Sequence, residues 1–304
     1  MMGVMKAIES VRAFFSGEAD VTAAYLYGTY SGDRSWPDTD IEVALVFRPH
    51  MSEEAIGTYL EHLSEENPLG GEPGILMPFA LNTHILPVIY EILRGGTLLV
   101  ENDAAGRRAF VQQAEERIAR ERGALLAQAK EAILQVRTLG FGLASGDGRM
   151  LPQPPRYLDP IRIGWRLARI LGSVAMLDKA TRDPESPVRD AKRLGQVIGW
   201  FSNAAGAATG IAKAMLNMFQ VPRPPRRWEV FLPLADADLL TTELALQLAA
   251  AVELRWSLIT GSGLVSPERV TGGVRATLAP IITFSRLAAW YAELPGGETE
   301  PWVH

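Results

Sequence analysis

The stretch YLYGTYSGDRSWPDTDIEV, Tyr25 to Val43, decides the fold of the first part of the chain. A β-rich run ends at Gly28-Thr29, and ten residues later a second run opens with Asp40-Ile41-Glu42. Glycine lets backbone N–H groups approach phosphate oxygens closely, and a neighbouring hydroxyl adds a donor, so a Gly-Thr turn suits a triphosphate tail. Residues two apart on a strand face the same side. Asp40 and Glu42 are therefore placed to converge on one Mg²⁺, a hard cation that prefers carboxylate, phosphate and water oxygens. Each element also has an ordinary structural explanation: Gly-Thr is a common turn, and an Asp-x-Glu pair at a strand start is often a solvated edge.

Outward from this segment, Val4, Ile8, Val11 and Phe15 form one stripe of a first helix. β-rich runs lie at Val21–Tyr27, Asp40–Phe47, Ile75–Leu81 and Thr97–Val100, with helical spacing over Met51–Ser64 and Thr83–Arg94. This alternation predicts an α/β domain with helices against a mixed sheet. A long helix from about Ala104 to Val136 should leave the sheet, with Phe110, Ile118, Leu125, Ala129, Ile133 and Val136 inward. Glycine and proline concentrate in LGFGLASGDGRMLPQPPR, residues 139–156, which reads as a linker between a domain at 1–138 and another at 157–296. The second domain is all helical, with helices expected at about 159–180, 188–219, 240–260 and 267–293. The stripe Ile163, Leu167, Ile170, Leu171, Val174 and Leu177 is wide enough to face the core of an antiparallel bundle.

At 304 residues the chain has room for two such domains, and its 47% hydrophobic and 21% charged content is that of a folding chain rather than a disordered one. A net charge of -5 gives no general attraction to nucleic acid, so RNA contact needs a local patch. The run Arg223, Arg226, Arg227 with Trp228 is the weak candidate for one, and such a run is also an ordinary solvated loop. The chain has no cysteine, which removes disulfides, thiolate metal sites and cysteine nucleophiles and suits the cytoplasm. The opening MMGVMKAIESVRAFF reads as a helix and not a signal peptide. The alanine-rich run Asn203–Phe219 is broken by Lys213 and Asn217, so no membrane span is expected. His50, His62, His84 and His304 lack the spacing of a metal site and are expected on the surface.

The pattern Gly28-Thr29, ten residues, Asp40-Ile41-Glu42 resembles the Gly-Ser and Asp-x-Asp signature of nucleotidyltransferases. The likeness runs to about residue 105, where LNTHILPVIYEILRGGTLLVEND resembles the end of minimal nucleotidyltransferase (MNT) antitoxins of the MntA type. It implies that Gly28 and Thr29 bind the triphosphate of an NTP, ATP in the first instance, and that Asp40 and Glu42 are the catalytic metal ligands for Mg²⁺. The family carries a third aspartate on the following strand. Alignment on Leu81-Asn82 brings Met77 or a close neighbour there, and Ile75 to Leu81 contains no acid. Its loss removes the expected base or second-metal ligand, and Glu42 adds a methylene where Mg²⁺ tolerates little displacement. Glu72, Asp38 and Glu91 are possible substitutes, each expected on the surface.

From Pro224 to Ile259, PPRRWEVFLPLADADLLTTELALQLAAAVELRWSLI resembles HEPN domains of the HepT type, usually encoded as separate chains beside MNT antitoxins. Here the two would be fused. The family's ribonuclease motif keeps its arginine as Arg255, but Thr260 stands at the histidine and Ser262 at the tyrosine that MNT enzymes adenylylate. Threonine cannot exchange protons near neutral pH, so RNA cleavage by the family route is not expected. The resemblance leaves two functions open. One is Mg²⁺-dependent transfer of an AMP-like nucleotidyl group to a protein or small-molecule acceptor. The other is a decayed pseudoenzyme that keeps nucleotide-binding or partner surfaces of a toxin-antitoxin pair. A homodimer through the helical stripes after Asp159 is expected in either case.

Overall fold

The computed structural model describes residues 2–27, 41–65, 76–138, 154, 157–181, 190–222, 224, 226–261 and 266–292. The chain divides into two compact units, Met1–Gly123 with Pro225–Arg227, and Ala124–Pro224 with Trp228–His304. Almost all of the expected linker at 139–156 lies outside the described residues.

The first unit contains α1 (Met2–Phe15), β1 (Val21–Tyr27), β2 (Ile41–Phe47), α2 (Glu53–Glu65), β3 (Leu76–Ala80), α3 (Leu86–Gly95), β4 (Thr97–Glu101) and the start of α4 (Ala104–Thr138). Its four strands form one mixed sheet in the order β3-β2-β1-β4, with β2 parallel to β3 and the other pairs antiparallel. The inner strands are apolar at nearly every position, as strands covered on both faces must be. A register shift between Val21 and Ala23 changes the parity of β1. Val21, Ala24 and Leu26 thereby join Ile41, Val43, Leu45 and Phe47 in one core with Val11 and Phe15 of α1 and Ile56 and Leu63 of α2.

The amide of Asn102 closes this layer. It donates to the carbonyls of Phe15 at 2.8 Å, Val21 at 3.1 Å and Glu18 at 3.3 Å, while its oxygen accepts from the Gly17 N–H at 3.2 Å. The turn between α1 and β1, with Gly17 at φ 94°, is thus tied to the end of β4. Helix α3 starts later than the expected Thr83 because its first turn is set by Pro87, which tolerates only the start of a helix.

The second unit is helical throughout its described residues: α4 from Ala124, α5 (Pro160–Thr181), α6 (Ala191–Met218), a 3-10 turn at Arg227–Phe231, α7 (Leu232–Asp236), α8 (Thr242–Gly261) and α9 (Pro267–Trp290). The expected stripe is largely buried at Ile163, Leu167, Ile170 and Leu177, whereas Leu171 and Val174 are half-buried. Leu125, Ala129, Ile133 and Val136 of α4 are buried as expected, while Phe110 and Ile118 are half-buried. Arg137 holds the end of α9 by donating to the carbonyl of Ala289 at 2.8 and 3.0 Å.

Helices α4 and α5 meet at Gly164, where a Cβ would stand 2.5 Å from both Cα and Cβ of Ala129. The main chain of α4 cannot yield as a side-chain tip would, so Gly164→Ala should cost about 1–3 kcal/mol. Urea unfolding of the full chain measures it; an unchanged midpoint would mean that the two helices separate without penalty.

Candidate functional site

Strands β1, β2 and β3 bring three of the residues in question into a single cross-strand row. Glu42 pairs with Tyr27 on one side and with Met77 on the other. Paired residues share a sheet face, so the three side chains project together. Glu42 is the polar position of β2 and is half-buried, whereas Met77 is 41% exposed. The Tyr27 ring meets Phe79 edge-on at 6.3 Å, and Phe79 in turn meets His84 at 5.3 Å. An apolar and aromatic patch therefore flanks the carboxylate on its β3 side.

The parallel pairing is locked just beyond the strands. Leu81 N–H donates to the Leu45 carbonyl at 2.8 Å. Asn82 then imitates one more strand residue: its oxygen accepts from Phe47 N–H at 2.7 Å and its nitrogen donates to Phe47 O at 3.0 Å. Asn82 fixes the register that sets Met77 opposite Glu42. Sequence inspection used Leu81-Asn82 only as an alignment mark, although an asparagine directly after a strand is a recognisable signal for side-chain to backbone bonding.

Gly28, Thr29 and Asp40 lie outside the described residues, as do Asp38 and Glu72. Glu91, expected on the surface, is instead 2% exposed within α3, because nearly all of that short helix is buried. Among the described residues no group of three or more histidines and carboxylates stands close enough to hold a metal ion. His50 and His62 are exposed, with His50 3.3 Å from Asp20, while His84 is half-buried against Phe79. At the far end of the sheet Glu101 bonds Arg107, which raises the pKa of that guanidinium above its usual range.

In the helical unit Arg255 lies on α8 and is half-buried, and its Nε donates to the carbonyl of Ser202 on α6 at 3.2 Å. Thr260 falls in the last turn of the same helix, and Ser262 lies outside the described residues. Of the basic run, Arg226 is exposed and Trp228 half-buried in the 3-10 turn, and Arg223 lies outside the described residues. No described helix is long and apolar enough to cross a membrane.

No protein-family model matches the chain, and no curated protein matches it. Among solved structures it is similar to a toxin-antitoxin crystal structure with AMP-PNP, at 21% identity over 41% of this chain and 96% of that one, with a TM-score of 0.39. It is also similar to the tri-AMPylated Shewanella oneidensis HEPN toxin in complex with MNT antitoxin, at 21% identity over 41% and 94% of the two chains, with a TM-score of 0.38. YutE, a cytosolic protein of unknown function from Bacillus subtilis, gives 14% identity over 47% and 96%, with a TM-score of 0.40. Likeness of this degree assigns no activity.

The Asn82 clamp gives a direct test of the local architecture. Asn82→Ala leaves the Phe47 N–H and C=O without these partners and should cost about 1–3 kcal/mol by chemical denaturation. Wild-type stability in that variant would show that water replaces the amide at no cost.

Proposed function

We propose that the N-terminal unit is a nucleotidyltransferase-type domain that binds a nucleoside triphosphate, ATP in the first instance, and has lost the transfer step. The observation that carries this reading is the pairing of Glu42 with Met77. Phosphoryl-group transfer needs carboxylates that hold the metal and a base that takes the acceptor's proton. A thioether at the neighbouring strand position does neither. Gly28 and Thr29 take the triphosphate, and Asp40 with Glu42 would hold Mg²⁺, which on binding would neutralise and orient the phosphates. Two carboxylates suit one such ion shared with triphosphate oxygens; they are one short of the set that also activates an acceptor.

The C-terminal unit serves in this reading as a HEPN-like assembly domain, derived with its neighbour from a toxin-antitoxin pair fused in one chain and acting in the cytoplasm. With Thr260 in place of histidine it does not cleave RNA. Its helical faces after Asp159 pair two copies of the chain, since fold and pairing depend on apolar stripes and not on catalytic side chains.

Calorimetry with ATP, GTP, CTP and UTP tests the binding claim. Binding should require Mg²⁺ and be abolished by Asp40→Asn; undiminished affinity in that variant would place the nucleotide elsewhere. Transfer of labelled AMP by the wild-type chain to any acceptor would overturn the loss of chemistry. The double change Glu42→Asp, Met77→Asp should raise transfer above the wild-type background, and a folded but inert double variant would count against decay at this position. Light scattering should give a dimer at micromolar concentration; a monomer would remove the proposed assembly role.

A further inference from the structure

The sheet face that carries Glu42 is apolar where the fold does not require it. Leu76 of β3 packs against the core formed with α1 and α2, so the next residue, Met77, belongs to the opposite face. β3 is an edge strand, and outward positions on such strands commonly carry charge, which discourages pairing with other chains. Here the outward residue is a methionine, 41% exposed and paired with Glu42.

One row further along the same face, Phe79 pairs with Ala44 of β2, and Ala44 with Tyr25 of β1. Ala44 is small and fully buried, which leaves room above β2. Tyr27 and Phe79, from the strands on either side of β2, lean across that room and meet edge-on at 6.3 Å. His84 also meets Phe79 edge-on, at 5.3 Å, with its own ring fixed by an Nδ1 that accepts the Ile85 N–H at 3.0 Å. The Phe79 ring is therefore held by two neighbouring rings. Tyr27 and Phe79 are both half-buried, so each keeps part of its surface toward solvent. Rings fixed in advance lose little freedom when a planar group stacks on them.

We propose that Tyr27, Met77 and Phe79 form a platform for the nucleobase, and that the ligand of this site is a purine nucleoside triphosphate. The inference rests on the triphosphate reading given above. Gly28, proposed to take the phosphates, directly follows Tyr27 in the chain, and Glu42, proposed to hold the metal, stands between Tyr27 and Met77. Phosphates at β1 and metal at β2 leave β3, roughly 10 Å from β1, for the part of the ligand beyond the phosphates. A thioether packs favourably against aromatic rings. Aromatic side chains stack on the π-face of any base, and purines offer the larger face. Met77 is then a gain as well as a loss: the side chain that cannot take the acceptor's proton supplies contact to the base.

Calorimetry on the full-length protein with Mg²⁺ tests the platform by comparing ATP, GTP, CTP and UTP with inorganic tripolyphosphate, which has no base. ATP and GTP should bind at least about tenfold more tightly than tripolyphosphate, and more tightly than CTP and UTP. The emission of 2-aminopurine riboside triphosphate should be quenched on binding, as stacking requires. Met77→Ala, at an exposed position, should remove most of the advantage of ATP over tripolyphosphate, and Met77→Leu, which restores an apolar side chain of similar size, should return most of it. Asp40-dependent binding of tripolyphosphate with no gain from any base would overturn the platform and leave the triphosphate reading standing. Equal preference for ATP in Met77→Ala and the wild type, or an unquenched bound probe, would do the same. Failure of every nucleotide and of tripolyphosphate to bind would overturn both.

Discussion

Strand β2 is paired on both edges and buried at every position but Glu42, and the placement of the candidate site depends on that pairing. A central strand of this kind has no tolerance for slippage, because a shift of one residue would turn its apolar set out of the core and drive Glu42 in. The antiparallel partner β1 fixes one edge, with a bulge near Val21 that brings its small and apolar residues into phase. The parallel partner β3 is shorter and less buried, and the side chain of Asn82 extends its ladder by bonding both backbone groups of Phe47. The result is a rigid row, Tyr27, Glu42 and Met77, whose chemistry is decided by identity and not by flexibility.

In the helical unit the same principle works through small residues. Gly164 lets α4 and α5 approach to backbone contact, while Gly206 and Gly210 open a strip on α6 that guanidinium groups fill. The first glycine stabilises packing between apolar faces. The others bring charge into the side of a bundle, where it costs free energy unless compensated.

Much of the architecture was readable from periodicity. Short β-rich runs marked β1 and β2, which are apolar nearly throughout because both of their faces are covered, and helical spacing marked α5, α6, α8 and α9 within a few residues of their ends. Glu91 was not readable in this way. An acid on a helix normally faces water, and only the packing around α3 shows that this one does not. The arginines of α5 posed the same difficulty. Arg166 and Arg169 lie on a helix whose sequence gives no sign that α6 presents Gly210 and Asn203 to them.

The sequence by itself determined the order of strands and helices, the helical second half, the acid-free run from Ile75 to Leu81 and the absence of histidine at position 260. These follow from residue identity and from periods of two and 3.6, which are local properties of the chain. Tertiary structure decided which β3 residue stands opposite Glu42, that Glu91 is enclosed, and that arginines from two separate helices gather on α6. Each of these is a relation between elements distant along the chain, set by strand register or by how closely two backbones approach, and no local pattern encodes it.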